Sequence, residues 1–240
     1  MSKRWLAAFA AALLLSMGAL SQRASATYVP VPTITGKVDG APISLYTNPD
    51  DVSAVVTGTT GAGGSYTGFV GSSDPLLTWT FHAQGPTPVG GSAYDITFLI
   101  PVGPGVFGTL TNSAGVTVTD EGTSNPITPT LVTGISVTPL LDVSTPPAGL
   151  TGTDMSVTQE TTTQSFGLVT VGVGPSSYTT MSVDLKFTLT DTAGDGIAAF
   201  TGELDLAPTA VPEPATFVSA CGGILLCGLV SYRRLRRKTA

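Results

Sequence analysis

The chain has 240 residues, 42% of them hydrophobic and only 11% charged, with 29 glycines, 18 prolines, two cysteines, one histidine and a net charge of −6. So few charges together with a positive mean hydropathy exclude a highly charged disordered chain, and the acidic balance excludes a protein that binds nucleic acid by neutralising phosphates. The charge is also partitioned: residues 1–26 hold Lys3, Arg4 and Arg23 without an acid, residues 211–240 hold five cations against Glu213, and between them fifteen Asp and Glu face only Lys37 and Lys186, a balance of −13.

At the N-terminus, Lys3 and Arg4 precede an apolar run from Trp5 to Leu15, and Ala24-Ser25-Ala26 follows. A basic start, a short apolar stretch and small residues at Ala24 and Ala26 predict a signal peptide over residues 1–26, cut by signal peptidase before Thr27. The apolar run is too short to span a bilayer, which needs about 20 residues.

Residues 27–210 are rich in Thr, Ser, Gly and Val and carry a period of two. Thr33–Val38, Ile43–Thr47 and Val52–Thr57 are irregular strand candidates. Gly58–Ser65 reads as a flexible loop, and its glycines lack the lysine of a phosphate loop. Leu77, Trp79 and Phe81 alternate with Thr78, Thr80 and His82, and Tyr94, Ile96, Phe98 and Ile100 with Asp95, Thr97 and Leu99. Val116–Thr119, Leu131–Val137 and Phe166–Val173 are further candidates. Val183, Leu185, Phe187 and Leu189 then alternate with Asp184, Lys186, Thr188 and Thr190, and Phe200, Leu204 and Leu206 oppose Thr201, Glu203 and Asp205. Such alternation predicts half-buried antiparallel strands. About ten to thirteen short strands between Gly, Pro and Asp turns predict one all-β domain, an antiparallel β-sandwich. Ala207–Val211 is its expected exit linker.

Val211-Pro212-Glu213-Pro214-Ala215 comes next, followed by an apolar stretch and Arg233-Arg234-Leu235-Arg236-Arg237-Lys238. From Ala215 to Tyr232 a helix would cover about 27 Å, enough for a membrane span. The cations would keep the C-terminus in the cytoplasm and leave residues 27–210 outside. These three parts, in this order, resemble the PEP-CTERM sorting signal over residues 211–240. The resemblance implies a Gram-negative bacterium, recognition of Pro212, Glu213 and Pro214 by exosortase, and Arg233, Arg234, Arg236, Arg237 and Lys238 as the basic tail. It further implies passage through an inner-membrane intermediate to the cell surface, outer envelope or extracellular matrix, and a link to exopolysaccharide. The same tail occurs on some ice-binding proteins. Physically, two prolines around a carboxylate stay extended at the membrane surface, open to an enzyme.

Both cysteines, Cys221 and Cys227, lie in the predicted span. The exported domain therefore has no disulfide, no catalytic cysteine and no zinc–cysteine site. It has no arginine either, and its single histidine, His82, falls on the polar face of a strand with no Gly-x-Ser-x-Gly elbow to serve. Asp184, Glu203 and Asp205 read as solvated acids of polar faces, although paired carboxylates are all that a glycosidase needs. Trp79 alternates with core residues rather than standing out as a sugar platform. For calcium, oxygen donors suffice, and two turns offer them: Asp191 and Asp195 in Asp-Thr-Ala-Gly-Asp-Gly, and Asp50 and Asp51 after Asn48-Pro49. Asp with Gly is also ordinary turn chemistry. The threonine pairs in Thr78-Trp79-Thr80, Thr117-Val118-Thr119 and Thr188-Leu189-Thr190 resemble one step of an ice-binding array, but do not repeat.

The expectation is therefore an exported, exosortase-sorted, non-enzymatic structural or adhesive protein with no nucleic-acid partner, held in the membrane by its C-terminal helix. It needs no cofactor, calcium being the one candidate ion. The alternative is a calcium- or glycan-binding module on the same scaffold, ahead of a secreted hydrolase or an ice-binding protein.

Overall fold

Alternation decides which residues pair into strands. In Leu76–Gln84, Leu77, Trp79, Phe81 and Ala83 are buried while Thr78, His82 and Gln84 are exposed. In Thr180–Thr190, Met181, Val183, Leu185, Phe187 and Leu189 all point inward. A segment apolar on one face only is stable as a strand when that face meets another sheet. The computed structural model describes residues 31–43, 45–47, 53–73, 75–122, 127–142, 144 and 148–209, all within one compact unit.

In chain order the described strands are β1 (Thr33–Val38), β2 (Ala41–Pro42), β3 (Leu45–Thr47), β4 (Ser53–Thr59), β5 (Ser65–Ser73), β6 (Leu76–Gln84) and β7 (Ser92–Pro101), then β8 (Phe107–Asp120), β9 (Thr130–Leu141), β10 (Leu150–Thr151), β11 (Met155–Val157), β12 (Thr161–Ser176), β13 (Thr180–Thr190) and β14 (Gly196–Pro208). They form two seven-stranded antiparallel sheets. Sheet 1 has the order β10-β9-β13-β7-β1-β2, with β11 also paired to β9; sheet 2 has the order β12-β8-β14-β6-β5-β4-β3. After the β3–β6 meander, the chain crosses between sheets at β6–β7, β7–β8, β8–β9, β11–β12, β12–β13 and β13–β14. These crossings tie the two layers into a sandwich.

Aromatic rings fill the space between the sheets. Trp79 of sheet 2 stacks on Phe98 of sheet 1 with centroids 5.1 Å apart, and Phe187 meets Phe200 at 4.4 Å. Tyr94 stacks on Phe187 at 4.6 Å and meets Phe81 edge-on at 5.7 Å. Each buried ring removes a large apolar area from water, which is how the domain manages without a disulfide.

The expected β-sandwich is thus present, with differences in detail. There are fourteen strands among the described residues, and they are not all short: β8 has 14 residues, β12 has 16 and β14 has 13. Gly58–Ser65 is a hairpin rather than a free loop, since Gly58 and Thr59 finish β4 and Ser65 opens β5. Thr60 closes the turn, accepting a bond from the Gly64 amide on its hydroxyl at 3.0 Å. Ala207 and Pro208 belong to β14, and Thr209 bonds the carbonyl of Val106 through its amide and its hydroxyl. The ladder with β8 holds this part of the expected linker. No helix occurs among the described residues, so none there crosses a membrane.

Candidate functional site

The acids of the domain divide by what their oxygens accept. Asp191, at the end of β13, is only 1% exposed. One of its oxygens accepts bonds from the amides of Ala193 (3.0 Å) and Gly194 (3.2 Å), the other from Gly196 at 2.8 Å. Its backbone is bonded in turn to Thr87, so two loops lock together. Asp120 does the same at the far end of β8, accepting from Gly122, from the Thr130 amide and from the Thr130 hydroxyl. Asp142 accepts four bonds from the amides and hydroxyls of Thr179 and Thr180. Burial alone would push the Asp142 carboxyl up, but these bonds outweigh it and hold it below the usual value. Asp39 accepts from Ser92 and Ala93, and Asp154 from Gly134. These carboxylates satisfy backbone donors that turns would otherwise leave bare.

Of the calcium candidates, Asp195 lies half-buried in the same turn as Asp191. The two oxygens of Asp191 already serve three amides, a turn arrangement rather than a set of converging ligands. No group of three or more His, Cys, Asp or Glu is placed to hold a metal among the described residues. Asp50 and Asp51 lie outside the described residues, as do Ala24, Ala26, Pro212, Glu213, Pro214 and the basic residues Arg233, Arg234, Arg236, Arg237 and Lys238.

His82 is exposed on the outer face of sheet 2, between Thr67 of β5 and Ala199 of β14. No carboxylate is paired with it in the register. Trp79 is buried, as its alternation predicted. On the outer face of sheet 1, Asp184 accepts a bond from Thr97 at 2.6 Å. Beside them runs the row Lys37–Asp95–Lys186 across β1, β7 and β13. Lys186 and Asp95 form an ion pair at 3.2 Å, both about half exposed.

Pairing brings together a surface that the sequence shows only in fragments. On the outer face of sheet 2, Thr161 meets Thr119, Thr163 meets Thr117 and Thr170 meets Thr111, each pair with hydroxyls 3.1 to 3.2 Å apart. The next rows add Thr201 and Thr80, then Ser113, Glu203 and Thr78. Between them lies a shallow open depression of about 420 Å³, walled by Ser113, Ser165, Thr201 and Glu203 with Gly115 and Gly202 beneath. Glu203 and Asp205 are the face's carboxylates among these rows. The signal was the recurrence of threonine two residues apart in β6 and β8. The register that aligns these pairs depends on which strands are neighbours, and their order is not sequential.

No family model and no curated protein matches the chain. Among solved structures, a cyclase from Fischerella sp. TAU is similar with a TM-score of 0.31 and 11% identity, over 70% of this chain and 90% of that one. A Stig cyclase Fisc from the same organism, in complex with a pyrrolidinylidene indole, gives 0.31 and 10% over 69% and 88%. The structure of the infectious bursal disease virus Gx strain gives 0.27 and 10% over 82% and 56%. Likenesses this distant assign neither a fold family nor an activity.

Proposed function

We propose that this is an exported, exosortase-sorted protein of the cell surface or extracellular matrix, with a structural or adhesive rather than a catalytic role. The observation that carries the adhesive part is the outer face of sheet 2. Its threonine and serine hydroxyls lie in register across strands of both signs of direction, offering donors and acceptors to an uncharged hydroxylated polymer such as an exopolysaccharide. Among the described residues, the buried carboxylates Asp120 and Asp191 accept from backbone amides and so serve turns. Sorting rests on the resemblance of residues 211–240 alone.

A second reading, a glycan-binding module with one defined subsite, is favoured by the depression beside Glu203. Binding of the full chain to the host's purified exopolysaccharide tests both. The adhesive reading expects weak binding that falls when Thr78, Thr80 and Thr201 are together changed to valine. Saturable binding abolished by Glu203→Gln alone would replace it with the module, and bond cleavage would make the protein an enzyme. For sorting, Glu213→Ala or loss of Arg233 to Lys238 should leave unprocessed protein in the inner membrane; unchanged fractionation of both variants would reduce the tail to an anchor.

A further inference from the structure

Among the described residues, three of the four sheet edges are very short. Sheet 1 ends in β2, of two residues, and in β10 and β11, of two and three; one side of sheet 2 ends in β3, of three. The fourth edge is β12, with 16 residues. It pairs only with β8, so the backbone groups on its other side have no strand partner among the described residues. Proteins normally blunt such an edge with lysines, charges or shortness. From Thr161 to Val183 there is no Asp, Glu, Lys, Arg or His.

The edge is also incompletely covered. Phe166, Val169, Val171 and Val173 are only partly buried against the core, and Leu168, on the opposite face, is 69% exposed. Irregularities between Ser165 and Leu168 and between Gly172 and Ser176 bound a regular stretch, Leu168–Gly172, paired one to one with Ser113–Thr109. Five residues of regular open edge carrying half-buried valines form a ready template for one more strand.

We propose that the Leu168–Gly172 stretch of β12 pairs antiparallel with the same stretch of a second copy, joining two copies of sheet 2 into one continuous sheet. A twofold axis at Thr170 makes this edge its own complement, setting Val169 against Val171 of the second copy and Thr170 against its counterpart. Charge also lets two copies meet along this long edge at little electrostatic cost. Two domains of −13 repel wherever their carboxylates face each other, and β12 lies in a stretch of 23 residues that carries none. This inference stands on the edge alone and is independent of the adhesive and sorting readings.

The test uses the full chain. Sedimentation over a dilution series should give a dimer, weakened on the order of tenfold by Thr170→Lys, which sets like charges opposite each other. Thr57→Lys, exposed on the same sheet but away from the edge, should leave association unchanged. A monomeric wild type, or equal behaviour of the two lysine variants, would overturn the proposal, including the case in which another segment makes the dimer. A second arm covers any misfolding of Thr170→Lys. With Cys221→Ser and Cys227→Ser the chain has no thiol, so Thr170→Cys in that background should form an interchain disulfide on mild oxidation and Thr57→Cys should not. No disulfide at Thr170, or equal yields at both positions, would refute the pairing.

Discussion

Gly202 of β14 lies directly across from Trp79 of β6, and a Cβ on Gly202 would sit 2.3 Å from the indole Cζ2. The glycine is the space into which the largest core ring fits. Trp79 in turn stacks on Phe98 of the opposite sheet, and its Nε1 is buried without a hydrogen-bond partner among the described residues.

Gly202→Ala should therefore destabilise the protein by about 1–3 kcal/mol, the usual cost of overpacking a rigid core. Trp79→Phe removes the indole atoms nearest the new methyl group, so the same alanine should cost much less in that background. Urea unfolding of the four proteins in the cycle checks this; additive losses would mean that the two side chains do not share the space.

For Asp191, replacement by alanine strands three backbone amides, that of Gly196 buried and those of Ala193 and Gly194 partly so, and we expect a loss of about 3 kcal/mol. Calcium should add nothing specific, because the two carboxylate oxygens are already occupied by amides. Melting temperatures in calcium and in sodium at matched ionic strength should agree. A calcium-dependent rise that Asp191→Ala abolishes would restore the metal reading.

Acid should act through Asp142. Its carboxyl is held below the usual value of about 3.9 in the folded state, so its contribution is present above that value and is lost as pH falls through the folded-state value. Asn at this left-handed position, where φ is 46°, keeps the backbone conformation and removes the charge. The stability gap between wild type and Asp142→Asn should narrow as pH falls below about 4. A gap independent of pH would detach the carboxylate from acid unfolding.

Alkali acts through Tyr94. Burial chiefly, and then the charge of Asp39, raise its hydroxyl's pKa, against a contact with Ser92 that lowers it. The neutral ring is favoured in the folded state, so stability is full below the unfolded value of about 10 and declines as pH climbs above it. Tyr94→Phe should decline less steeply over that range in denaturant midpoints. Parallel curves would place the alkaline transition elsewhere.

How far the fold could be read from the chain follows from which side chains occupy the inward positions. In β6, β7 and β13 every inward residue between Leu77 and Ala83, Tyr94 and Ile100, and Val183 and Leu189 is apolar, and the strands stand out. In β5 the pattern is disguised: Gly68 and Ser72 point inward with Tyr66 and Val70, while Phe69 is 39% exposed. The start of β8 is concealed by Asn112, fully buried and donating its side-chain amide to the Ala148 carbonyl at 2.9 Å. The first third of β12 holds Thr161, Thr162, Thr163, Gln164 and Ser165, which show no apolar period at all and are placed by their ladder to β8. The polar faces were legible strand by strand. The alignment of their hydroxyls was not, because it requires β8 to neighbour both β12 and β14, a pairing of strands far apart in the chain.

The row Lys37–Asp95–Lys186 gives the domain a direction. Both cations of residues 27–210 stand on the outer face of sheet 1, whereas Glu203 and Asp205 stand on that of sheet 2. The two broad faces therefore differ in potential, and a field from outside exerts a torque on the domain. A polyanion is repelled less by sheet 1, where Lys37 and Lys186 offset Asp95 and Asp184, than by the face that carries Glu203 and Asp205, so the threonine rows of sheet 2 are left facing away, free to meet a neutral chain on the opposite side.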